Sequence, residues 1–129
     1  MIIGFDFDGT CYAYAWPQIG PDIGGIAVLK ELAAQGHQLV LSTMRSNHGG
    51  KDYLTQAVRT LEYEGIELWG INSTPTQHKW SSSPKPFCNL YIGVDALGCP
   101  VKEDPGISNK PFVDWKAVRK LLTEKKILV

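Results

Sequence analysis

Ile2-Ile3-Gly4-Phe5-Asp6-Phe7-Asp8-Gly9-Thr10 is the stretch on which the fold turns. A short apolar run ends in two carboxylates one residue apart, and a glycine and a hydroxyl follow at once. Ile2, Ile3, Phe5 and Phe7 read as a buried strand, so Asp6 and Asp8 emerge where that strand meets a loop. Residues two apart in a strand point to one side, which aims both carboxylates into the same space. Like charges held that close are costly unless a cation neutralises them or one carries a proton. Gly9 lets the chain turn sharply away and keeps its amide open to a ligand. The pair points to chemistry.

Outward from this stretch, strand and helix patterns alternate. Tyr12, Tyr14 and Trp16 fall on alternating positions, which fits either a small β-excursion walling a pocket or a packed loop over the sheet end. Pro21-Asp22 offers a helix start, with Ile23, Ile26, Ala27, Leu29, Leu32 and Ala33 at helical spacing and Gly36 as the stop. Leu39-Val40-Leu41 is a second buried strand, ending in Ser42-Thr43-Met44-Arg45. Tyr53, Leu54, Ala57, Val58 and Leu61 predict a second helix, stopped by Gly65, and Ile66 to Ile71 a third, weaker strand. The polar segment 72–87, with Pro75, Pro84 and Pro86, is long enough for a functional loop.

Leu90-Tyr91-Ile92-Gly93-Val94 predicts a fourth strand ending at Asp95, and Gly98 to Pro111 is irregular. Trp115, Val118, Leu121 and Leu122 define a last helix with Asp114 as N-cap, followed by a terminal strand or tail at 127–129. Short apolar strands without clean alternation predict a parallel sheet covered by helices on both faces. Ligands of such sheets bind beyond the carboxyl ends of the strands. Asp6 and Asp8, Thr43 and Arg45, and Asp95 all fall at such ends, which argues for one shared site.

The composition agrees. The 129 residues suffice for one domain and are too few for two ordinary ones. Thirteen basic and thirteen acidic residues cancel without long blocks of either sign, so no basic face for nucleic acid is expected. No apolar run approaches the roughly 18 residues of a membrane span, and no leader pattern follows Met1. Cys11, Cys88 and Cys99 are odd in number and widely spaced without a Cys-x-x-Cys pair, so neither a disulfide framework nor a zinc site is indicated and a reduced, cytoplasmic protein is expected. Cys11 is read as a buried filler rather than a reactive thiol. Asn72-Ser73-Thr74 fits a glycosylation pattern that has no consequence without secretion.

Asp6-Phe7-Asp8-Gly9-Thr10 resembles motif I of the haloacid dehalogenase (HAD) superfamily, whose members are mostly Mg²⁺-dependent phosphohydrolases. Leu39 to Arg45 looks like motif II, and its Thr-x-Arg form, common in small cap-poor members, favours Thr43 over Ser42 as the phosphate-binding hydroxyl. Motif III needs a lysine. Lys79 and Lys85 both qualify, and the Pro84-Lys85-Pro86 context before a strand selects Lys85. Motif IV departs from the pattern: aligned on Ala96-Leu97-Gly98, Gly93 and Val94 occupy the two acidic positions and Asp95 sits one place late. Glu103 and Asp104 are distant fallbacks.

The resemblance covers most of the chain. It implies a Rossmann-like three-layer α/β/α sandwich with a mostly parallel sheet, as one HAD-like domain over 1–129 without a separate cap domain. It implies Asp6 as nucleophile, Asp8 as general acid and base, and Thr43 and Lys85 as stabilisers of the transferring group. Gly9, Thr10 and Arg45 are expected to bind substrate. Mg²⁺ is expected on the Asp6 carboxylate, the Asp8 main-chain carbonyl and Asp95, and the partner is a phosphorylated, small-molecule substrate. The gap before the first helix is too short for a cap, leaving an open site shaped by Tyr12, Tyr14, Trp16, Asn47, His48 and the Trp80 loop. Gly93-Val94 motivates a competing expectation, a catalytically weak HAD-fold protein that binds a phosphorylated ligand or a partner. A nucleotide-sugar transferase Asp-x-Asp is disfavoured, because that motif normally lies well inside a larger chain.

Overall fold

In the computed structural model, which describes residues 1–129, the opening run forms β1 (Ile2–Phe5), followed by a hairpin of β2 (Tyr12–Ala15) and β3 (Gln18–Asp22). Helix α1 (Gly25–Ala34) leads to β4 (Gln38–Leu41), and a small hairpin of β5 (Asn47–His48) and β6 (Lys51–Asp52) precedes α2 (Tyr53–Tyr63). Then come β7 (Gly70–Ile71), a single 3₁₀ turn at Gln77–Lys79 and β8 (Leu90–Ile92). A short antiparallel pair, β9 (Val101–Lys102) and β10 (Phe112–Val113), and helix α3 (Trp115–Glu124) complete the chain.

The main sheet has the order β7-β4-β1-β8, and all its pairings are parallel. Phe5 lies opposite Leu41 on one side and Ile92 on the other. This is the α/β architecture with a parallel sheet flanked by helices that the apolar runs predict. Alternation within the strands sorts the side chains: Ile3, Phe5, Leu39 and Leu41 are fully buried in one cluster with Leu29 and Leu32 of α1, Leu61 of α2, and Val118 and Leu122 of α3. Each such side chain contributes about 1.5–3 kcal/mol by leaving water.

Gly4 points the other way. A methyl group there would lie 2.8 Å from Cys88 Sγ and 3.1 Å from the Tyr91 ring, so glycine lets the chain before β8 lie directly on the strand. At β1 this second face is thus covered by a loop carrying one 3₁₀ turn, a thinner layer than a helix. Buried Gln77 organises that loop. Its Nε2 donates to the carbonyls of Ser83 (3.2 Å) and Lys85 (2.6 Å), and its Oε1 accepts from the Phe87 amide (2.7 Å).

Several boundaries differ from the sequence pattern. Tyr12–Ala15 is the β-excursion, paired with Gln18–Asp22 around the Trp16-Pro17 tip. Pro21-Asp22 therefore ends a strand, and α1 starts three residues later, after Asp22 Oδ1 accepts from the Gly24 amide (2.8 Å). Only Gly70–Ile71 of the expected third strand pairs with β4. Asp114 caps α3 as its position suggests, accepting from the Ala117 amide (3.2 Å). Residues 127–129 form a tail, with Leu128 buried and the Val129 amide donating to Gln35 Oε1 (3.0 Å). No helix is long and apolar enough to cross a membrane.

Trp115 ties α3 to the loop after β1, its buried Nε1 donating to the Thr10 carbonyl at 2.6 Å. Trp115→Phe keeps most of the volume and strands that carbonyl. Urea unfolding is expected to show a loss of about 1–3 kcal/mol, with the slope of the transition unchanged.

Candidate functional site

The chain leaves β1 at Asp6, whose amide donates to the Ile92 carbonyl (3.1 Å) and whose Oδ1 accepts from the Phe7 amide (2.7 Å). It then turns at Gly9, with φ +74°, where a Cβ would press to 3.0 Å from Val94 Cγ1. Three bonds hold this turn from outside. The Val94 amide donates to Thr10 Oγ1 (3.1 Å), the Val113 amide to the Gly9 carbonyl (3.0 Å), and Trp115 to the Thr10 carbonyl. Gly9 lines the cavity above the strand ends, whereas Thr10 is fully buried and its hydroxyl serves the turn.

Asp8 is gripped by Arg45. Arg45 Nε donates to Oδ2 and one terminal nitrogen to Oδ1, both at 2.8 Å. Two further guanidinium hydrogens reach the carbonyls of Pro17 (3.3 Å) and Gln18 (3.0 Å) at the hairpin tip. The guanidinium also lies 5.1 Å from the Phe7 ring centroid and 4.9 Å from that of Trp16. Arg45 is buried, and four of its five guanidinium hydrogens are committed to Asp8 and the hairpin.

Thr43 faces the same cavity as Asp6 and Asp8, and Ser42 does not. The Thr43 amide donates to Asn72 Oδ1 (2.8 Å), and Thr43 Oγ1 accepts from the Arg45 amide (3.1 Å), which leaves the hydroxyl hydrogen free for a ligand. Asn72 adopts a left-handed φ of 53° at the end of β7, a conformation asparagine tolerates. Its positioning role was missed by the sequence reading; the signal was an asparagine directly after an apolar run.

The cavity has a volume of about 630 Å³ and is bounded by Asp6, Asp8, Thr43, Arg45 and Asp95, with Tyr14 and Trp16 on one wall. Lys110, another residue the sequence reading passed over, also faces it. A neighbouring groove of about 480 Å³ shares Asp6 and Thr43 and is lined by Pro84, Pro86 and Tyr91. Lys85 is exposed beside that groove, its Nζ 5.2 Å from the Tyr91 ring centroid. Lys79 is exposed at the end of the 3₁₀ turn, and Asn47 and His48 lie in the exposed β5–β6 hairpin. The open side of Gly93 faces Asp6, whose Cβ is 3.7 Å from where a Gly93 Cβ would stand.

Burial pushes the Asp6 carboxyl up from 3.8 to about 6, against the Phe7 amide, and the charges of Asp8 and Asp95 push it further the same way. Cys11 is fully buried and held well above the ordinary thiol range by burial, then by Asp6, Asp22 and Asp8. Its thiol donates to the Asp6 carbonyl (3.5 Å), as a packed filler. No three His, Cys, Asp or Glu side chains converge as a ready metal cage. Asp6 and Asp95 border the cavity without an ion-pair partner, and the Asp8 carbonyl accepts no bond within the chain.

Fold and site together define an α/β protein with a carboxylate-rich cavity at the carboxyl edge of a parallel sheet. The chain is similar to the solved structure of a conserved protein from Bacteroides thetaiotaomicron, with 27% identity and a TM-score of 0.76 over 97% of this chain and 91% of that one. No family model and no curated protein matches it.

An Asp6 carboxyl raised above its unfolded value binds its proton more tightly when folded, so stability falls as pH rises from about 4 through about 6. The displacement corresponds to roughly 3 kcal/mol, reduced by partial solvent contact. Asp6→Asn, which keeps an acceptor for the Phe7 amide, is expected to gain about 1–3 kcal/mol at pH 7.5 and nothing near pH 4. Thermal melts across that range measure it. An equal gain at both ends would show that ionisation of Asp6 is not the cause.

Proposed function

We propose that this protein is a Mg²⁺-dependent phosphomonoesterase of the HAD type that works through an aspartyl-phosphate on Asp6. The observation that carries this reading is that Asp6, Asp8, Thr43 and Asp95, from three strand ends, border one cavity. The similarity to the Bacteroides protein supports the fold alone, since that protein's description names no activity.

The donor set suits a hard cation. Two carboxylates and a free carbonyl are all oxygens, and Mg²⁺ needs only one or two carboxylates because it keeps several waters. Burial first, and then the charges of Asp8 and Asp95, raise the Asp6 carboxyl, and a cation beside it would offset both. When bound to Asp6, Asp95 and the Asp8 carbonyl, Mg²⁺ supplies charge stabilisation for the phosphoryl oxygens.

The protein's own groups carry the steps. An Asp6 carboxylate oxygen attacks phosphorus, and the ester P–O bond breaks as Asp8 gives its proton to the leaving oxygen. Asp8 then takes a proton from water, whose oxygen attacks phosphorus and frees Asp6 and inorganic phosphate. The Thr43 hydroxyl donates to a phosphoryl oxygen, and Lys85, which lines neither cavity, would have to swing in from beside the groove to offset charge. Arg45 acts through Asp8. Protonating one Asp8 oxygen weakens its bond to Arg45, and the bond to the other oxygen holds the acid in place during transfer.

The test is hydrolysis of 4-nitrophenyl phosphate with Mg²⁺ across a pH series. Asp6→Asn is expected to lose at least roughly a thousandfold in rate. Turnover unchanged in that variant would end the reading.

A second reading, a catalytically weak phosphoryl-ligand binder, is favoured by Gly93 and Val94 standing where acids are expected. Calorimetric titration with Mg²⁺ separates the two. Asp95→Ala is expected to weaken binding about tenfold, and Gly93→Asp, whose Cβ meets Asp6 Cβ at ordinary contact distance (3.7 Å), to tighten it about tenfold, each near 1.4 kcal/mol. Absence of any Mg²⁺ binding to the wild-type protein favours the second reading.

A further inference from the structure

The cavity is much larger than a phosphoryl group and Mg²⁺ require, and its outer part differs in chemistry from its floor. Tyr14, Trp16, Met44 and Val101 border it and stay uncovered, Trp16 at 44% exposure and Met44 at 97%. Apolar side chains gathered at the mouth of a polar site mark a surface that a ligand covers. The aromatic wall is braced. The Trp16 ring stands 4.6 Å from that of Tyr53, at 59° between planes, and 4.9 Å from the Arg45 guanidinium. A braced wall loses little freedom when a ring docks on it.

The second observation is charge. Of the two cations facing the cavity, Arg45 is consumed by Asp8. Lys110 has no carboxylate within ion-pair distance, and its Nζ lies 3.8 Å from the Tyr14 ring centroid. An ammonium without a carboxylate partner therefore sits against the Tyr14 ring at the aromatic wall.

We infer that the substrate is a phosphomonoester whose leaving group carries a flat ring and a second anionic group, the ring covering Tyr14, Trp16 and Met44 and the anion pairing with Lys110. This rests on the reading of the cavity floor as a phosphoester site. Lys110 is a specificity residue, and the reaction itself does not involve it.

Calorimetry with non-hydrolysable ligands reads the inference apart from catalysis. With Mg²⁺ present, benzylphosphonate is expected to bind at least about tenfold more tightly than methylphosphonate, and 4-carboxybenzylphosphonate about fivefold more tightly again. Lys110→Met, a change at an exposed position, removes the second step and keeps the first, while added salt weakens the second step in the wild type. Trp16→Ala shrinks the first step. Equal binding of the three ligands, no binding at all, or a carboxylate preference that survives both Lys110→Met and Lys110→Gln overturns the inference. Hydrolysis of 4-nitrophenyl phosphate is scored separately. Turnover without the ligand order sinks only the inference, and the ligand order without turnover sinks only the enzymatic reading.

Discussion

The buried fork between Arg45 and Asp8 is the constraint on which the site depends. A guanidinium taken out of water is stable only when its donors and its charge are met, and here one carboxylate, two carbonyls and two aromatic rings meet them. The partners come from three places: Asp8 after β1, Arg45 after β4, and the hairpin tip at Pro17 and Gln18. One side chain thereby fixes the floor and the aromatic wall of the cavity relative to each other. Breaking such a pair from one side leaves a buried charge without its partner, a cost of roughly 3–5 kcal/mol.

The sheet was legible in the sequence because a strand buried on both faces must be a short apolar run. Ile2–Phe5 and Leu39–Leu41 are such runs, ending where Asp6 and Ser42 begin the loops, while Leu90–Ile92 is a third apolar run that passes into Gly93. The start of α1 was not legible, because Pro21-Asp22 carries a helix-start signal that the hairpin uses instead. Asp22 makes its turn with Gly24, and the helix waits for Gly25, where a Cβ would strike the Trp115 indole at 2.8 Å. That contact joins residues far apart in sequence, so local pattern holds no trace of it.

The same divide runs through the site. Asp6, Asp8, Thr43 and Asp95 were found from strand-end position, and they border one cavity. The destination of Arg45 was not found. A strand-end arginine near a phosphoester site reads as a ligand contact, whereas this one is spent on a carboxylate 37 positions away. Lys110 was passed over because it lies in an irregular stretch with no motif. Its place in the cavity follows from β9 pairing with β10, which brings 110 and 111 to the mouth.

Val94 explains why an acid stands late in the chain after β8. Its side chain fills the space over Gly9, and its amide is spent on Thr10. A carboxylate at 94 in this backbone would face the Gly9 turn against apolar neighbours, where desolvation disfavours its charge. Position 93 is different: its open side looks at Asp6 across ordinary contact distance, yet it carries no side chain. Asp95 is thus the first position after the strand at which this chain sets a carboxylate on the cavity rim, exposed and still close enough to act on Asp6.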